Sequence, residues 1–191
     1  PRPETEELVE WIIESQKSEV QSRKLEILDI GTGTGCIPIS LKTNLLQANV
    51  SAIDVSEKAL EVAKRNAQSN KVEVNFIQTN ILEVEDLNQH FDIIVSNPPY
   101  VRNLEKQEIK KNVLDYEPHL ALFVEDTDAL LFYRKIAQLA LENLSPNGLL
   151  FFEINQYLGK ETVELLENLG FKNIELKKDI YGNDRMIKCK K

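Results

Sequence analysis

Two stretches have residue types and spacing that could do chemistry: Asn97-Pro98-Pro99-Tyr100 and Asp29-Ile30-Gly31-Thr32-Gly33-Thr34-Gly35. In the first, neither proline carries an N–H, so Pro98 and Pro99 offer backbone acceptors and no donors. A residue before proline is held extended, which limits where the Asn97 side chain can point. The Asn97 amide oxygen and the Pro98 carbonyl could then accept both hydrogens of a primary amide or an exocyclic amine. Such a nitrogen is a poor nucleophile, because its lone pair is delocalised into the adjacent π-system. Two acceptors placed where the N–H bonds must move favour pyramidalisation and stabilise charge developing on nitrogen. Tyr100, with Pro99 beside it, supplies a flat face against the planar group. Taken alone, the tetrapeptide reads equally as a turn in which Asn97 caps the loop and Tyr100 is core.

The second stretch shifts that balance. Its glycines let the backbone turn tightly and approach a ligand where a Cβ would clash. A glycine-rich loop after a first strand also occurs in dehydrogenases, so by itself it is a weak signal. Asp29, just before the first glycine, suits the cationic methionine end of S-adenosylmethionine, where a pyrophosphate would be repelled. Asp54 ends the next strand candidate, where a carboxylate can accept both ribose hydroxyls. The alternative is a plain tight turn with a helix-capping Asp. An activated sulfonium needs no metal, acid or covalent nucleophile, so what remains is alignment at about 3–3.5 Å.

These residues need a scaffold, and the apolar pattern predicts one. Strand candidates are Leu25–Ile30, Val50–Asp54, Val72–Gln78, Phe91–Ser96, Leu149–Ile154, Ile174–Lys178 and Met186–Cys189. Helical periodicity covers Glu4–Glu14, Glu57–Asn70, Thr127–Asn143 and Leu158–Leu169, and a further helix opens after the glycine loop. Strand–helix alternation with near-continuous apolar strands predicts a mostly parallel α/β sheet with helices on both faces. Asp179–Arg185 is too short for a helical crossover, so the last two strands form a hairpin and one of them runs antiparallel. A seven-stranded sheet of that kind is the Rossmann-like layout of class I S-adenosylmethionine-dependent methyltransferases. Asn97 then falls at the carboxyl end of the fourth strand, on the ligand-binding edge of such a sheet.

Composition sets outer bounds. The 191 residues fit one domain, with the helix of residues 1–20 leading into it, and hydrophobic (42%) and charged (28%) fractions are ordinary for a globular chain. Twenty-three basic against 31 acidic residues leave a net charge of −8, which argues against a grip on long nucleic acid. No apolar run approaches a membrane span. The two cysteines, Cys36 and Cys189, make no disulfide framework and lack metal-ligand spacing, which points to a reducing, cytoplasmic setting and no bound metal. The chain starts at Pro1 without a methionine, so we expect it to be a piece of a longer protein.

Further motifs carry a resemblance. Pro1-Arg2-Pro3-Glu4-Thr5-Glu6 opens the chain, and Asp54-Val55-Ser56 follows the loop. Tyr116-Glu117-Pro118-His119-Leu120-Ala121-Leu122 comes after the Asn-Pro-Pro-Tyr, and Asp179, Gly182 and Arg185 close the series. With the two stretches above, the chain resembles the HemK/PrmC protein-(glutamine-N5) methyltransferases over nearly its whole length. The opening and Tyr-Glu-Pro motifs discriminate, since DNA adenine methyltransferases share the Asn-Pro-Pro-Tyr but not these two. The resemblance implies S-adenosylmethionine as methyl donor, S-adenosylhomocysteine as product, and the glutamine of the Gly-Gly-Gln loop of a peptide chain release factor as acceptor. It places Asp29, Gly31, Thr32, Gly33, Thr34, Gly35, Asp54, Asn80, Ile81 and Asn97 around the cofactor. Asn80 stands where the family usually has Asp to meet the adenine amino group, Ile81 replaces a frequent aromatic, and Glu153-Ile154-Asn155-Gln156 departs from Glu-Ile-Gly-x-x-Gln. The family's small helical N-terminal substrate-docking domain is expected to be missing from this chain.

Other residues read both ways. Arg2 and Thr5 could reach the substrate or Asn97, or simply begin a helix. Glu117 is a substrate-side carboxylate or a structural acceptor near Pro118, and His119 reads as a surface histidine. Glu105–Lys111 is mixed in sign and reads as a lid over the site. Trp11 and the phenylalanines are expected in the core. Two other functions remain open at this stage. One is a nucleic-acid N-methyltransferase acting on an exocyclic amine such as adenine's, which would call for a target-recognition domain and a basic groove. The other is a non-catalytic cofactor-binding partner.

Overall fold

The first helix, α1 (Pro3–Ser15), begins on Pro3, whose fixed φ and missing N–H suit a first helical position. Leu8, Val9 and Ile12 recur at helical spacing and form its buried stripe, while Glu4 and Glu6 lie in the first turn. A computed structural model describes residues 2–16, 24–99, 101–102, 123–124 and 128–191. Tyr100, Glu105–Lys111, the Tyr116–Leu122 motif with Glu117 and His119, and Thr127 lie outside the described residues. Residues 129 and 130 form a turn, so the helix expected from Thr127 begins at Leu131 instead.

The elements that follow are β1 (Glu26–Ile30), α2 (Cys36–Asn44), β2 (Asn49–Asp54), α3 (Glu57–Ser69), β3 (Asn75–Gln78) and β4 (Phe91–Ser96). After them come α4 (Leu131–Asn143), β5 (Leu144–Glu153), α5 (Gly159–Leu169), β6 (Lys172–Lys178) and β7 (Asp184–Lys190). The seven strands lie in the order β3-β2-β1-β4-β5-β7-β6, and a two-residue pairing of Val101–Arg102 with Phe123–Val124 stands apart. All neighbours in the main sheet are parallel except β7, which runs antiparallel to both β5 and β6. The direction of strand order reverses between β1 and β4, and such a switch point opens a crevice beyond the carboxyl ends of the strands.

Each face of the sheet carries a core. On one, Leu28, Ile30, Ile94, Leu150, Phe152 and Ile187 pack with Tyr133, Ile136 and Ala140 of α4 and Leu166 of α5. On the other, Ile27, Ile93, Val95, Phe151 and Met186 pack under Leu8 and Ile12 of α1 and Ile37 and Leu41 of α2. Alternate residues of one strand thus serve opposite cores, as the period of two requires.

Several boundaries differ from the sequence expectation. β5 starts at Leu144 rather than Leu149, because Phe91 pairs with Leu144 before a bulge returns the register at Ile93 and Leu149. Pro146 cannot donate to a ladder, and Asn147 adopts a left-handed φ of 70° within that bulge. β3 starts three residues late, at Asn75, after a turn at Lys71 with φ 56°. A short 3₁₀ turn, Ile81–Glu83, was not anticipated. Trp11 is only partly buried: it meets Phe151 edge-on at 5.6 Å, with Lys177 and Lys188 ammonium groups 5.3 and 5.1 Å from its ring centre.

Candidate active site

Every strand end at the switch point contributes a polar group. β1 ends in Asp29-Ile30 and runs into the glycine loop, in which Gly31, Gly33 and Gly35 have φ of 77°, 55° and 84°. These left-handed values explain the glycine spacing, since an L-residue there costs roughly 1–2 kcal/mol. A Cβ on Gly31 or Gly33 would meet nothing within 4 Å, so the loop borders open space. A Cβ on Gly35 would come within 3.0 Å of the Ala63 Cβ, so this glycine also allows α2 and α3 to approach. The loop is pinned to β2 by the Gly31 and Thr32 N–H groups, which donate to the Ile53 carbonyl at 2.8 and 3.0 Å. The Asn66 amide of α3 donates to the Thr34 carbonyl at 2.9 Å.

Asp29 is fully buried, and neither carboxylate oxygen has a hydrogen-bond partner; buried Thr32 Oγ1 is unsatisfied as well. Burial pushes the Asp29 carboxyl up to about 7, the adjacent Thr32 hydroxyl, which sits outside hydrogen-bonding geometry, tempers the rise, and the Asp54 carboxylate adds to it. Orphaned buried acceptors carry a large cost, and here the unmet demand is for a cationic donor. At the end of β2, Asp54 accepts from the Gly33 N–H at 2.7 Å with one oxygen and from the Ser56 N–H at 2.8 Å with the other. It therefore clamps the loop and, through Ser56, braces the start of α3, while each oxygen keeps a further lone pair.

After β3, the Asn80 side-chain oxygen accepts from the Leu82 N–H at 3.2 Å and its amide donates to Glu83 at 2.8 Å, capping the 3₁₀ turn that buries Ile81. At the end of β4, the Ser96 hydroxyl donates to the Ile30 carbonyl at 2.6 Å and ties β4 to β1 beside the loop. Asn97 and Pro99 are half-buried and Pro98 is buried. Ser96 pairs with Ile30 on one side and Phe152 on the other, so Asn97 follows the β4 end that lies between the ends of β1 and β5.

Arg2 stands exposed as the residue before α1, and Thr5 is buried in its first turn. The Thr5 hydroxyl donates to Glu153 at 2.7 Å, with Glu153 itself 1% exposed. Burial lifts the Glu153 carboxyl above the ordinary range, while the Thr5 hydroxyl, Arg185 and Arg2 pull it back and Glu4 adds to the rise. The structure thus brings Asp29, the loop, Asp54 and Asn97-Pro98 to one edge, with Asn80 and Ile81 beyond β3 and Thr5 over the end of β5. Glu153 was missed as a site residue, although it closes an apolar run and matches the Glu of the family's Glu-Ile-Gly-x-x-Gln motif.

The Asp179, Gly182 and Arg185 motif turns out to be a hairpin lock. One Asp179 oxygen accepts from the Tyr181 and Asn183 N–H groups at 3.0 and 2.9 Å, and the other accepts from Arg185 at 3.1 Å. Burial pushes Asp179 up, but the Asn183 and Tyr181 N–H donors and the Arg185 guanidinium outweigh it and hold the carboxyl below its usual range. Among the described residues, no group of three His, Cys, Asp or Glu stands together to hold a metal ion, and no helix is long and apolar enough to cross a membrane.

Known proteins share this chain's pattern. Residues 10–119 match the family model described as the methyltransferase small domain. The chain is 72% identical over 188 residues to the release factor glutamine methyltransferase of Flavobacterium psychrophilum, covering 98% of this chain and 66% of that protein. It is 43% identical over 191 residues to the release factor glutamine methyltransferase of Lactococcus lactis, covering 100% of this chain and 68% of its relative. It therefore spans about two thirds of the length of these curated relatives. Among solved structures, a T. thermophilus 16S rRNA methyltransferase in complex with AdoMet and guanosine superposes with a TM-score of 0.71 at 20% identity, covering 100% of this chain and 43% of that one. The fold is accordingly that of the class I methyltransferases, and by sequence the chain belongs to the methyltransferase small-domain family and, within it, to the release factor glutamine methyltransferases.

Proposed function

We propose that this chain transfers a methyl group from S-adenosylmethionine to the side-chain amide nitrogen of a protein glutamine, with the Gly-Gly-Gln loop of a peptide chain release factor as the acceptor and S-adenosylhomocysteine as the second product. The observation that carries the reading is an unsatisfied, fully buried carboxylate, Asp29, at one strand end and Asn97-Pro98 at the neighbouring one. The donor's cationic amino-acid end fits the Asp29 and Thr32 acceptors, and its backbone fits the open side of Gly31 and Gly33. Asp54 has lone pairs left for ribose hydroxyls, and Asn80 and Ile81 border the base. When bound, this group supplies an activated methyl.

The remaining work falls to the chain's own residues. Asn97 Oδ1 and the Pro98 carbonyl accept the two N–H hydrogens of the amide and favour its pyramidal form. Pro99 completes the seat, and Arg2 is assigned to the rim that meets the acceptor protein; Tyr100 and Glu117 keep the acceptor-binding roles the resemblance implies. The names of the relatives support the release factor as partner, and a membrane or nucleic-acid partner is not part of the proposal. The cytoplasm is the compartment that follows, and no metal is required.

Incubation with tritiated methyl donor, purified release factor and nucleic acid tests this, followed by mapping of the labelled residue. Label on the loop glutamine is expected. Label on DNA or RNA, or on release factor whose loop glutamine is replaced by alanine, would overturn the acceptor assignment.

A further inference from the structure

Methylation of an amide nitrogen must release a proton. The N–CH₃ bond forms, the S–CH₃ bond breaks with its electron pair passing to sulfur, and one N–H bond must also break. Amide oxygens such as those of Asn97 and Pro98 accept hydrogen bonds but are too weakly basic to keep that proton. Resting on the function proposed above, we propose that the Thr5–Glu153 pair is the proton relay of the site: Thr5 takes the proton leaving the acceptor nitrogen while passing its own to Glu153.

The geometry supports each part. A carboxylate can only accept, so the 2.7 Å contact fixes the Thr5 hydrogen on Glu153 Oε2. That leaves the lone pairs of Thr5 Oγ1 as acceptors directed elsewhere, and a hydroxyl polarised this way is a better base. Thr5 borders one end of an open groove of about 520 Å³ between α1 and α2, whose α2 side begins at Cys36, the residue following the glycine loop. Glu153 ends β5 one residue beyond the Ser96–Phe152 pair, and Asn97 lies one residue beyond Ser96 on the adjacent strand, so both leave the sheet at the same edge. The groups facing Glu153 are Arg2 just before α1, Glu4 and Thr5 from α1, and Arg185 from β7. Arg185 is already engaged by Asp179, so it moderates the Glu153 charge without neutralising it. Burial raises the Glu153 carboxyl above the ordinary glutamate range, which brings its basicity closer to what proton transfer near neutrality requires.

The test is the pH dependence of single-turnover methylation of release factor by this chain, at methyl-donor concentrations that saturate the site at every pH and normalised to the folded fraction, for wild type, Thr5→Val, Thr5→Ser and Glu153→Gln. Wild type should lose rate on the acidic side as Glu153 takes up a proton. Thr5→Val and Glu153→Gln should each fall on the order of 10²-fold in rate, the usual reach of a positioned proton acceptor. Glu153→Gln should also lose the acidic limb, Thr5→Ser should restore the rate, and affinity for the methyl donor should stay unchanged throughout. Variants that lower the melting temperature yet keep the wild-type pH profile and more than half the rate would show a merely structural tether and overturn the relay. A wild type that labels some other acceptor would instead refute the assignment of function, and an acidic limb that survives Glu153→Gln on that acceptor would refute the relay as well.

Discussion

At the residue scale, the consequential group is the unsatisfied Asp29. Its unfolded form gives up its proton near the ordinary 3.8, whereas the folded one keeps it to about 7. Between those values the unfolded chain binds fewer protons, so the stability of the ligand-free protein should fall as pH rises from about 4 to 7, by at most about 1.4 kcal/mol per unit. Urea titrations across that range check the sign, and Asp29→Asn should flatten the slope. A cationic ligand favours the ionised form, so binding of the methyl donor should tighten as pH rises to about 7 and release up to one proton near pH 6, measurable by calorimetry in buffers of differing ionisation heat. Asp54 already accepts two N–H groups, and Asp54→Ala should weaken donor binding by about 1–3 kcal/mol. NAD binding in place of the methyl donor would show the loop to be misread. Asn97→Ala should leave donor affinity near wild type and lower turnover on the order of 10²–10³-fold, because its hydrogen bond strengthens only as the nitrogen pyramidalises. Retention of more than half the turnover would refute that role.

At the element scale, the β6–β7 hairpin keeps β7, the one antiparallel strand, in register with β5. Its Asp179 and Arg185 side chains are 0% and 13% exposed, so their pairing is little screened. Removing one partner of such a pair strands the other, and Asp179→Ala should destabilise the fold by about 3–5 kcal/mol with a clear drop in melting temperature. Because the folded carboxyl lies below its usual range, its contribution is present above the ordinary 3.8 and lost as pH falls through the folded value. The motif was legible in the sequence as three spaced residues, but its work as a turn lock was not. That depended on the Tyr181 and Asn183 N–H groups converging on one oxygen. The same holds for Asp54, whose clamp on Gly33 joins residues 21 apart in the chain.

At the scale of the whole molecule, the chain spans 66% of the length of its Flavobacterium relative. A protein acceptor ordered on the site needs contacts remote from the reacting nitrogen, and those contacts offset the cost of aligning it. We propose that a helical docking domain supplies much of this in a longer protein. This chain should then bind the methyl donor with the affinity of that protein yet methylate release factor more slowly. Side-by-side kinetics on purified release factor check this, and equal kcat/KM values for the two would remove the need for a docking domain. Free glutamine, lacking remote contacts altogether, should be a very poor acceptor for either.

The sequence by itself determined the sheet and where the candidate site residues fall on it. Apolar runs of strand length, alternating with amphipathic helices, leave few packings, and a short final connection forces the antiparallel strand. Glycine spacing and the prolines after Asn97 are local constraints on backbone torsion, so they can be read without knowing what lies opposite. Burial and partnership are not local. Whether Asp29 would find a donor, whether Thr5 would face a ligand or a carboxylate, and whether β5 would end beside β4 were decided by the lateral register of β1, β4 and β5 and by where α1 settled on them. Those contacts join residues as far apart as Thr5 and Glu153, and only the packed fold brings them within hydrogen-bonding distance.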